Sequence, residues 1–504
     1  MIYHINVNVG KQLTGIESAA IQRHKLLKKK HDSKLVTIRF NTKLRENMRL
    51  YGLLANDYIN MYDYFQKIPE TLETTKIHLN DVFPKENYMI RQVGTINDFR
   101  IFKEDRYIAY ASLNEKKQIN YVNYFDENGK KIKRQMYDIR GFLSCESMLD
   151  DTQKPVTETY FSPKGEVCIV KHHQHEDIEK ELSICVHGQD APIVLAGEEE
   201  LISLFYQKLF TCNDTVISDK NIVTAFPLTK VSKVGKKIAI LHSKHYSGND
   251  LLKGRITAPY KDVFSNLDHF DYIVCSTEQQ RRDLIERFEE KRKFVCIPVG
   301  IRKDVQRNSL TIEKESTIRI GVVARYYVEK RLDHVIKAFK KIHCFLPNTE
   351  LHLYGFGDAR EKFKTEKELI QLTKQLNLRD SVKFRGYLID LDSEYKKMHM
   401  ISLTSTFEGF CLALLEGISY GIPAVSYDIK YGPREMIESG CTGELVNNGC
   451  IEELADKMIA ILSDSKKYKH FSEKSFEKSK DFSEEKIRGK WEQLFPTEGC
   501  EMYE

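Results

Sequence analysis

Two glutamates stand eight residues apart in the segment from Glu408 to Glu416, Glu-Gly-Phe-Cys-Leu-Ala-Leu-Leu-Glu. The surrounding pattern predicts a strand that ends just before Glu408 and a helix from about Phe410 to Tyr420. A helix N-terminus offers free backbone N–H groups and a positive dipole end, so a diphosphate could bind there. Glu408 could then face a sugar, while Glu416, about two turns further on, could accept ribose hydroxyls. The spacing also recurs by chance, and a surface carboxylate beside an ion-paired helix carboxylate is the alternative interpretation.

Two cations provide a second candidate group. Arg325 and Lys330 lie five residues apart, on the loop expected after the strand that begins at Ile318. Negative charge builds on a diphosphate as it leaves, and two cations can neutralise it without a metal ion. Ordinary loop solubility is the alternative, and the adjacent Arg331 leaves open which cation would reach the phosphates.

Two further positions come from the N-terminal half of the chain. Gly15 and Ile16 follow the first predicted strand, where glycine permits a close backbone approach to a ligand. A plain strand–helix turn explains these two residues equally well. His242 comes directly after the predicted strand in "IAILHSKHY". Alone, a histidine after a strand is more often structural than functional.

The secondary-structure elements predicted to position these residues change in type along the chain. The 504 residues are 41% hydrophobic, enough for two or three domains with buried cores. The opening residues predict strand, helix and strand, which favours a parallel sheet. From about Val93 to Ile184, short alternating segments separated by turns such as Asn128-Gly129 predict an antiparallel meander. Apolar strands alternating with helices resume at Ala191–Leu195, and a second α/β unit begins at Ile318.

The stretch from Ile318 to Tyr427 resembles the donor lobe of retaining GT-B glycosyltransferases. The resemblance rests on Arg325 with Lys330 and on the motifs "LHLYGFGD", "VKFRGY" and "STFEGFCLALLEGISYGIPAVSYD". It implies that the two cations bind the diphosphate, that Glu408 lies by the sugar and that Glu416 holds the ribose. The implied donor-binding set is Gly15, Ile16, Arg325, Lys330, Arg385, Gly386, Tyr387, Glu408, Gly409, Phe410, Cys411, Leu412 and Glu416. The implied catalytic set is Glu408, His242, Arg325 and Lys330.

The meander "YVNYFDENGKKIKRQMYDIRGFLSCESML" carries a narrower resemblance. It is similar to bacterial transferases that add N-acetylglucosamine to serines of surface adhesins, including the serine–aspartate repeat type and the first-step enzyme of accessory secretion. It is also similar to wall teichoic acid GlcNAc transferases. The resemblance implies UDP-GlcNAc as donor, no metal or other cofactor, and transfer to serine hydroxyls of an adhesin. The alternatives are a wall teichoic acid or polyol-phosphate α-glycosyltransferase, and a non-catalytic substrate-binding or chaperone partner.

The expected architecture is α/β, a GT-B fold of two Rossmann-like lobes with an antiparallel β-meander domain inserted in the first lobe. The expected segments are an acceptor lobe at 1–43 and 191–302, an acceptor-binding β-meander at 44–190, a linker at 303–317, a nucleotide-sugar lobe at 318–483 and a C-terminal helix crossing back at 484–504.

The composition of the chain limits which cell compartment and which binding partners are expected. The net charge is only +5, and no nucleic-acid-binding motif accompanies the lysine runs, so nucleic acid is not an expected partner. The eleven cysteines form no C-x-x-C pair, which favours a reducing compartment. No signal peptide or long apolar run is recognisable, so we expect a cytoplasmic protein with at most peripheral membrane association. The expected partners are UDP-GlcNAc, an acidic or serine-rich acceptor protein, and a homo-oligomeric or homologous subunit.

Overall fold

The computed structural model describes residues 1–72, 74–173, 182–188, 191–302, 304–312 and 316–495. Parts of the expected linker and the end of the expected C-terminal helix therefore lie outside the described residues. The chain divides into two compact units, Met1–Leu13 with His31–Lys237 and Thr14–Lys30 with Ile238–Glu504.

The strands follow one another from the N-terminus to the C-terminus. They are β1 (Ile2–Asn6), β2 (Ser33–Thr37), β3 (Tyr58–Asn60), β4 (Met89–Gln92), β5 (Asp98–Lys103), β6 (Arg106–Leu113), β7 (Ile119–Phe125), β8 (Lys131–Asp138), β9 (Phe142–Leu149), β10 (Pro155–Phe161), β11 (Val167–His173), β12 (Leu182–Val186), β13 (Ile193–Leu195), β14 (Thr215–Ser218), β15 (Lys236–Leu241), β16 (Tyr272–Cys275), β17 (Phe294–Cys296), β18 (Ile318–Val323), β19 (Thr349–Tyr354), β20 (Val382–Gly386), β21 (Met400–Leu403), β22 (Ala424–Tyr427) and β23 (Gly443–Val446).

The α-helices lie between these strands and after them. They are α1 (Gly15–Leu27), α2 (Leu44–Leu50), α3 (Met61–Phe65), α4 (Leu79–Val82), α5 (Glu198–Leu209), α6 (Asn221–Thr229), α7 (Lys261–Ser265), α8 (Glu278–Phe288), α9 (Leu332–Phe345), α10 (Lys364–Gln375), α11 (Asp392–Tyr395), α12 (Leu412–Ser419), α13 (Pro433–Met436), α14 (Ile451–Leu462), α15 (Ser465–Ser479) and α16 (Glu484–Glu492). In the part of the chain that the structure describes, none of these helices has both the length and the apolar character needed to cross a membrane.

The first unit contains a parallel sheet in the order β14-β1-β2-β3. Every residue of β1 is buried, as expected for a central parallel strand covered on both faces. The sheet extends to Tyr58–Asn60, which the sequence had placed inside the inserted domain that was predicted from residue 44. A strand of three residues is too short to show a period in its hydrophobic pattern, so the sequence did not reveal it.

The same unit contains a ten-stranded antiparallel sheet, in which strands β4 to β13 each pair with the next in sequence. This arrangement confirms the predicted meander. Ile101, Ala109 and Val122 point from one face into a core that Leu79 and Phe83 cover. One detail of the prediction is wrong, because Ile193–Leu195 pairs antiparallel with β12 as the last strand of this sheet. Its apolar Ile-Val-Leu run suits either kind of sheet, so the pattern alone could not assign it.

The second unit contains two sets of parallel strands. Strands β15, β16 and β17 pair in sequence order. A separate six-stranded sheet has the order β20-β19-β18-β21-β22-β23. Its core is formed by apolar residues of β18 and β19 together with those of α9 and α14. Near the C-terminus, α16 packs on α1, where the Arg23 guanidinium lies 5.3 Å from the centre of the Trp491 ring and Lys29 pairs with Glu484.

Candidate functional site

The strand order of the six-stranded sheet defines where a ligand is expected to bind. The order in which strands are added to the sheet changes side at β18. Strands β19 and β20 follow on one side of β18, and β21, β22 and β23 follow on the other. In open α/β sheets a crevice forms at this switch point, outside the carboxyl ends of the two strands. Arg325 and Lys330 follow β18, and Glu408 follows β21. The topology thus brings the cationic loop and the first glutamate of the sequence motif to one place.

Lys330 and Glu408 are in direct contact in this crevice. The ammonium of Lys330 donates to Glu408 Oε1 at 2.7 Å, and both side chains are largely buried. Ser405 Oγ donates to the same carboxylate oxygen at 2.7 Å. Burial disfavours the charged form of Lys330, but the neighbouring carboxylate outweighs it and the pKa of Lys330 is raised. The lysine therefore carries a full positive charge at neutral pH, held in a low-polarity surrounding where its field is strong.

The two loops are joined by threonine hydrogen bonds as well as by the ion pair. Thr404 Oγ1 donates to the backbone carbonyls of Lys330 and Arg331, at 2.9 and 3.0 Å. Thr406 donates to the carbonyl of Glu329 from both its backbone N–H and its hydroxyl, at 2.8 Å in each case. These bonds fix the backbone on which Lys330 stands. The sequence analysis did not select these threonines, because hydroxyl residues after a strand are common in turns.

Arg325 is placed at the edge of this group rather than inside the ion pair. Its guanidinium lies 4.2 Å from the centre of the Tyr327 ring and 3.9 Å from the Glu329 carboxylate. About one third of its side chain is exposed. It therefore presents a positive charge at the mouth of the crevice, while Lys330 lies deeper.

Helix α12 carries the second glutamate of the motif. It begins at Leu412, two residues later than the predicted start at Phe410, because Cys411 adopts a left-handed backbone conformation with φ of 77°. Burial, reinforced by the Glu408 charge, raises the pKa of the Cys411 thiol to about 12, so this cysteine stays protonated. Glu416 accepts a hydrogen bond of 2.8 Å from the hydroxyl of buried Tyr395. The second carboxylate is thus held in place by a residue from outside the motif.

Gly409 brings the Glu408 loop against the loop that carries His242. A β-carbon added at Gly409 would lie 2.2 Å from the carbonyl oxygen of His242, so only glycine permits this approach. His242 directly follows β15, as the sequence predicted. On the other side, a β-carbon at Gly15 would lie 3.9 Å from Leu412 Cδ1, so the start of α1 is next to the start of α12. Gly15, His242, Gly409 and Leu412 are therefore grouped together with Glu408.

The segment predicted to contact a base lies at the end of β20. Gly386 has a positive φ of 71° and its carbonyl accepts from the backbone N–H of Gly355 at 2.9 Å. Tyr387 packs edge-on against Phe356 with ring centres 5.5 Å apart. Arg385 lies 3.6 Å from the Glu394 carboxylate. These contacts define the conformation of the segment, in which Arg385 and Gly386 end β20, two places from β18 in the sheet, and Tyr387 follows directly.

All residues of the predicted donor set lie in the second unit, and the contacts above bring Gly15, Lys330, Glu408, Gly409 and Leu412 together. Within the described ranges, no group of three His, Cys, Asp or Glu side chains could hold a metal ion. The residues that the sequence analysis missed are mainly supporting hydroxyls, which are Thr404, Ser405, Thr406, Tyr260 and Tyr395.

Comparison with known proteins gives two matches to families. Glycosyl transferases group 1 matches residues 303–478, and the GtfB middle domain matches residues 91–183, within the meander. The Poly(glycerol-phosphate) alpha-glucosyltransferase of Bacillus subtilis (strain 168) is 27% identical over 97% of this chain and 74% of its own length. The GtfA subunit of the UDP-N-acetylglucosamine–peptide N-acetylglucosaminyltransferase of Streptococcus gordonii is 24% identical over 98% of each chain.

A solved structure has the same fold over nearly the whole chain. The crystal structure of the pneumococcal O-GlcNAc transferase GtfA in complex with UDP and GlcNAc superposes with a TM-score of 0.82 and 20% sequence identity, covering 98% of this chain and 97% of that one. The fold and the family match define a glycosyltransferase of the GT-B class, as the sequence predicted. Its homologues are GtfA-type peptide N-acetylglucosaminyltransferases and polyol-phosphate glycosyltransferases.

Proposed function

We propose that this chain is a retaining hexosyltransferase that moves N-acetylglucosamine from UDP-GlcNAc to serine hydroxyls of a bacterial surface adhesin. The single observation that carries the proposal is the Lys330–Glu408 pair of 2.7 Å at the switch point of a group 1 glycosyltransferase domain. The likeness to GtfA over the whole chain supports the choice of sugar and acceptor. A Ser-Asp repeat or another serine-rich region is the proposed acceptor sequence.

Each residue of the proposed site has its own role in the transfer. The donor diphosphate binds at Arg325, Lys330 and the start of α12, and these groups stabilise the negative charge as the bond from sugar C1 to the phosphate oxygen breaks. A serine hydroxyl forms the new bond to C1 from the same face, and its proton passes to the leaving phosphate. Glu408 lies beside the sugar, and Glu416 accepts the ribose hydroxyls. Because two cations balance the diphosphate, we propose that no metal ion is needed.

His242 belongs to the acceptor side of the proposed site. It lies on the loop that Gly409 contacts, so it is a neighbour of Glu408 through the backbone. We place it by the sugar and the incoming hydroxyl. Arg385, Gly386 and Tyr387 form the proposed wall beside the uracil ring, where the planar side chains of Arg385 and Tyr387 can contact the base.

The experiment uses the purified full-length chain, UDP-GlcNAc and two acceptors. One acceptor is a Ser-Asp repeat peptide and the other is poly(glycerol phosphate). We expect UDP release and a mass increase of one N-acetylhexosamine on the peptide, with an α-linkage by NMR and the same rate in EDTA. Sugar found only on the polymer would replace the proposed acceptor by a polyol phosphate. A β-linkage would overturn retention, and a rate that requires added metal ion would overturn metal independence.

A polyol-phosphate α-glycosyltransferase is the second candidate, because the Bacillus relative acts on poly(glycerol phosphate) by name and is the more identical of the two relatives described. A non-catalytic partner is the third. The name of the GtfA relative includes the word subunit, so we also propose a homologous partner chain for this protein. Absence of UDP release with either acceptor, alone or with such a partner present, would favour the non-catalytic role.

The described cysteines are all free thiols, in keeping with the cytoplasm as the proposed location.

A further inference from the structure

The loop that carries His242 is held by two buried side chains from other elements. Tyr260, which lies just before α7, is 3% exposed. Its hydroxyl oxygen accepts a hydrogen bond of 2.9 Å from the backbone N–H of His242. The same hydroxyl lies 2.9 Å from Ser243 Oγ. One phenol group therefore binds two consecutive residues of the loop.

Gln280 binds the next part of the loop. It lies in the first turn of α8 and is fully buried. Its Nε2 donates to the carbonyl oxygen of Ser243 at 2.9 Å. The backbone N–H of Gln280 is bonded in turn to Thr277 Oγ1 at 3.1 Å, the capping interaction that begins α8. The glutamine is thus anchored to the helix and has little freedom to follow the loop if the loop moves.

The position of this loop decides where His242 lies relative to Glu408. The carbonyl oxygen of His242 is the atom that a β-carbon on Gly409 would approach to 2.2 Å, so the two backbones are packed without spare room. A small displacement of the His242 loop must therefore either press on Gly409 or open a gap beside it. Either change alters the geometry next to Glu408, where the sugar is proposed to bind.

We propose that Tyr260 and Gln280 are positioning residues that fix His242 beside the Glu408 loop during transfer. The proposal rests on the proposed function, since that function makes His242 part of the acceptor side. The Tyr260 hydroxyl and the Gln280 Nε2 each bind the backbone of the His242 loop, so their direct effect is on that loop. Their loss is expected to slow the attack of the acceptor and to leave donor binding unchanged. A misplacement of about 1 Å can cost on the order of 100-fold in rate, so the effect is measurable.

The test compares Tyr260→Phe with Tyr206→Phe, which removes another buried tyrosine hydroxyl. The hydroxyl of Tyr206 has no hydrogen-bond partner among the described residues, so it controls for the loss of a buried oxygen as such. For Tyr260→Phe we expect kcat for transfer to fall about 10- to 100-fold. We expect KM for UDP-GlcNAc to stay within about twofold and the ratio of donor hydrolysis to transfer to rise. Tyr206→Phe is expected to match wild type in all three quantities.

Gln280→Leu provides a second variant, and crystal structures provide a measurement that needs no turnover. We expect both variants to show His242 displaced while Lys330 and Glu408 remain in contact. Wild-type kcat in Tyr260→Phe, an equal loss in Tyr206→Phe, or an undisplaced His242 would each overturn the positioning role. If wild type itself releases no UDP, the proposed function fails, and the displacement of His242 in the variant structures still decides whether these residues position the loop.

Discussion

Lys330 and Glu408 are separated by 78 residues of sequence, and their charged atoms lie 2.7 Å apart. The contact exists because β18 and β21 are neighbours in the sheet although two strands and three α-helices separate them in the chain. Each partner is less than one fifth exposed. Removing one partner therefore leaves the other as a buried charge without its counterion, which is costly in proteins. The pair is therefore part of the local structure as well as of the proposed reaction.

Lys330→Ala and Glu408→Gln are each expected to abolish transfer while leaving the fold intact. In the proposed reaction the lysine supplies positive charge where the diphosphate leaves, and one lost group of this kind typically costs about 100- to 1,000-fold in kcat. The measurement is UDP release with the preferred acceptor, and circular dichroism checks the fold. Lys337→Ala is the control, since this lysine on α9 is 43% exposed and pairs with Asp333 within its own helix. Turnover at the wild-type rate in either site variant would contradict the assignment.

The sequence analysis selected both residues of this pair because their types and their local positions after predicted strands carried the information. Cations after one strand and a carboxylate after another meet wherever the two strands are parallel neighbours, and the alternating pattern made that arrangement expected. The predicted start of α12 was too early because Cys411 has a positive φ. The sequence gives no indication of such a backbone conformation at a residue other than glycine. Tyr260 and Gln280 were missed for a different reason. Tyr260 and Gln280 contact residues of the His242 loop that are 18 and 37 positions away from them in the sequence. No local sequence pattern indicates contacts over such distances.

Gly409→Ala is expected to damage both the stability and the activity of the protein. The added β-carbon would lie 2.2 Å from the His242 carbonyl oxygen, a backbone atom that cannot rotate away. Overpacking of this kind typically costs about 1 to 3 kcal/mol, and the displaced loops should reduce kcat more than tenfold. Urea unfolding and UDP release measure the two effects.

The matched control for this substitution is Gly489→Ala. Gly489 lies inside α16, and a β-carbon there meets no atom within 4 Å among the described residues. Alanine favours a helix interior over glycine by about 1 kcal/mol, so this variant should be slightly more stable than wild type and fully active. Equal behaviour of the two alanine variants would show that the close contact at Gly409 has no consequence.

Tyr395→Phe is expected to weaken donor binding more than it slows the chemical step. Burial, followed by the charge of Glu416, raises the pKa of Tyr395, so its hydroxyl stays protonated and donates to that carboxylate. A hydrogen bond to a charged group is worth about 1.5 to 3 kcal/mol, and its loss weakens the positioning of Glu416, the proposed ribose ligand. We therefore expect KM for UDP-GlcNAc to rise roughly tenfold with kcat within about twofold. If kcat fell while KM stayed constant, Glu416 would not be the ribose ligand.

His245 gives the second unit a stability that depends on pH. Burial first, and then the nearby cations, lower its pKa to about 3, while Asp283 acts in the opposite direction. The groups that face its ring are Gln280, Tyr246, Phe264, Tyr431, Lys244, Arg287, Asp283 and Lys430. The imidazole is fully buried, and among the described residues its Nε2 has no hydrogen-bond partner. The native state therefore holds this histidine neutral under ordinary conditions.

The sign of the pH effect follows from the direction of the pKa change. Below about pH 6.5 the unfolded chain binds a proton at this histidine and the native chain does not, so stability falls as the pH falls towards the native pKa. From His245 alone the loss is about 2 kcal/mol between pH 6.5 and pH 5. In His245→Gln, the loss of stability between pH 6.5 and pH 5 should be smaller than in wild type by this amount. Urea unfolding midpoints across that pH range measure the difference. His470→Gln, at an exposed histidine of α15, is the matched control for replacing a histidine by glutamine. Parallel curves for wild type and His245→Gln would show that His245 is protonated in the folded protein as readily as in the unfolded one.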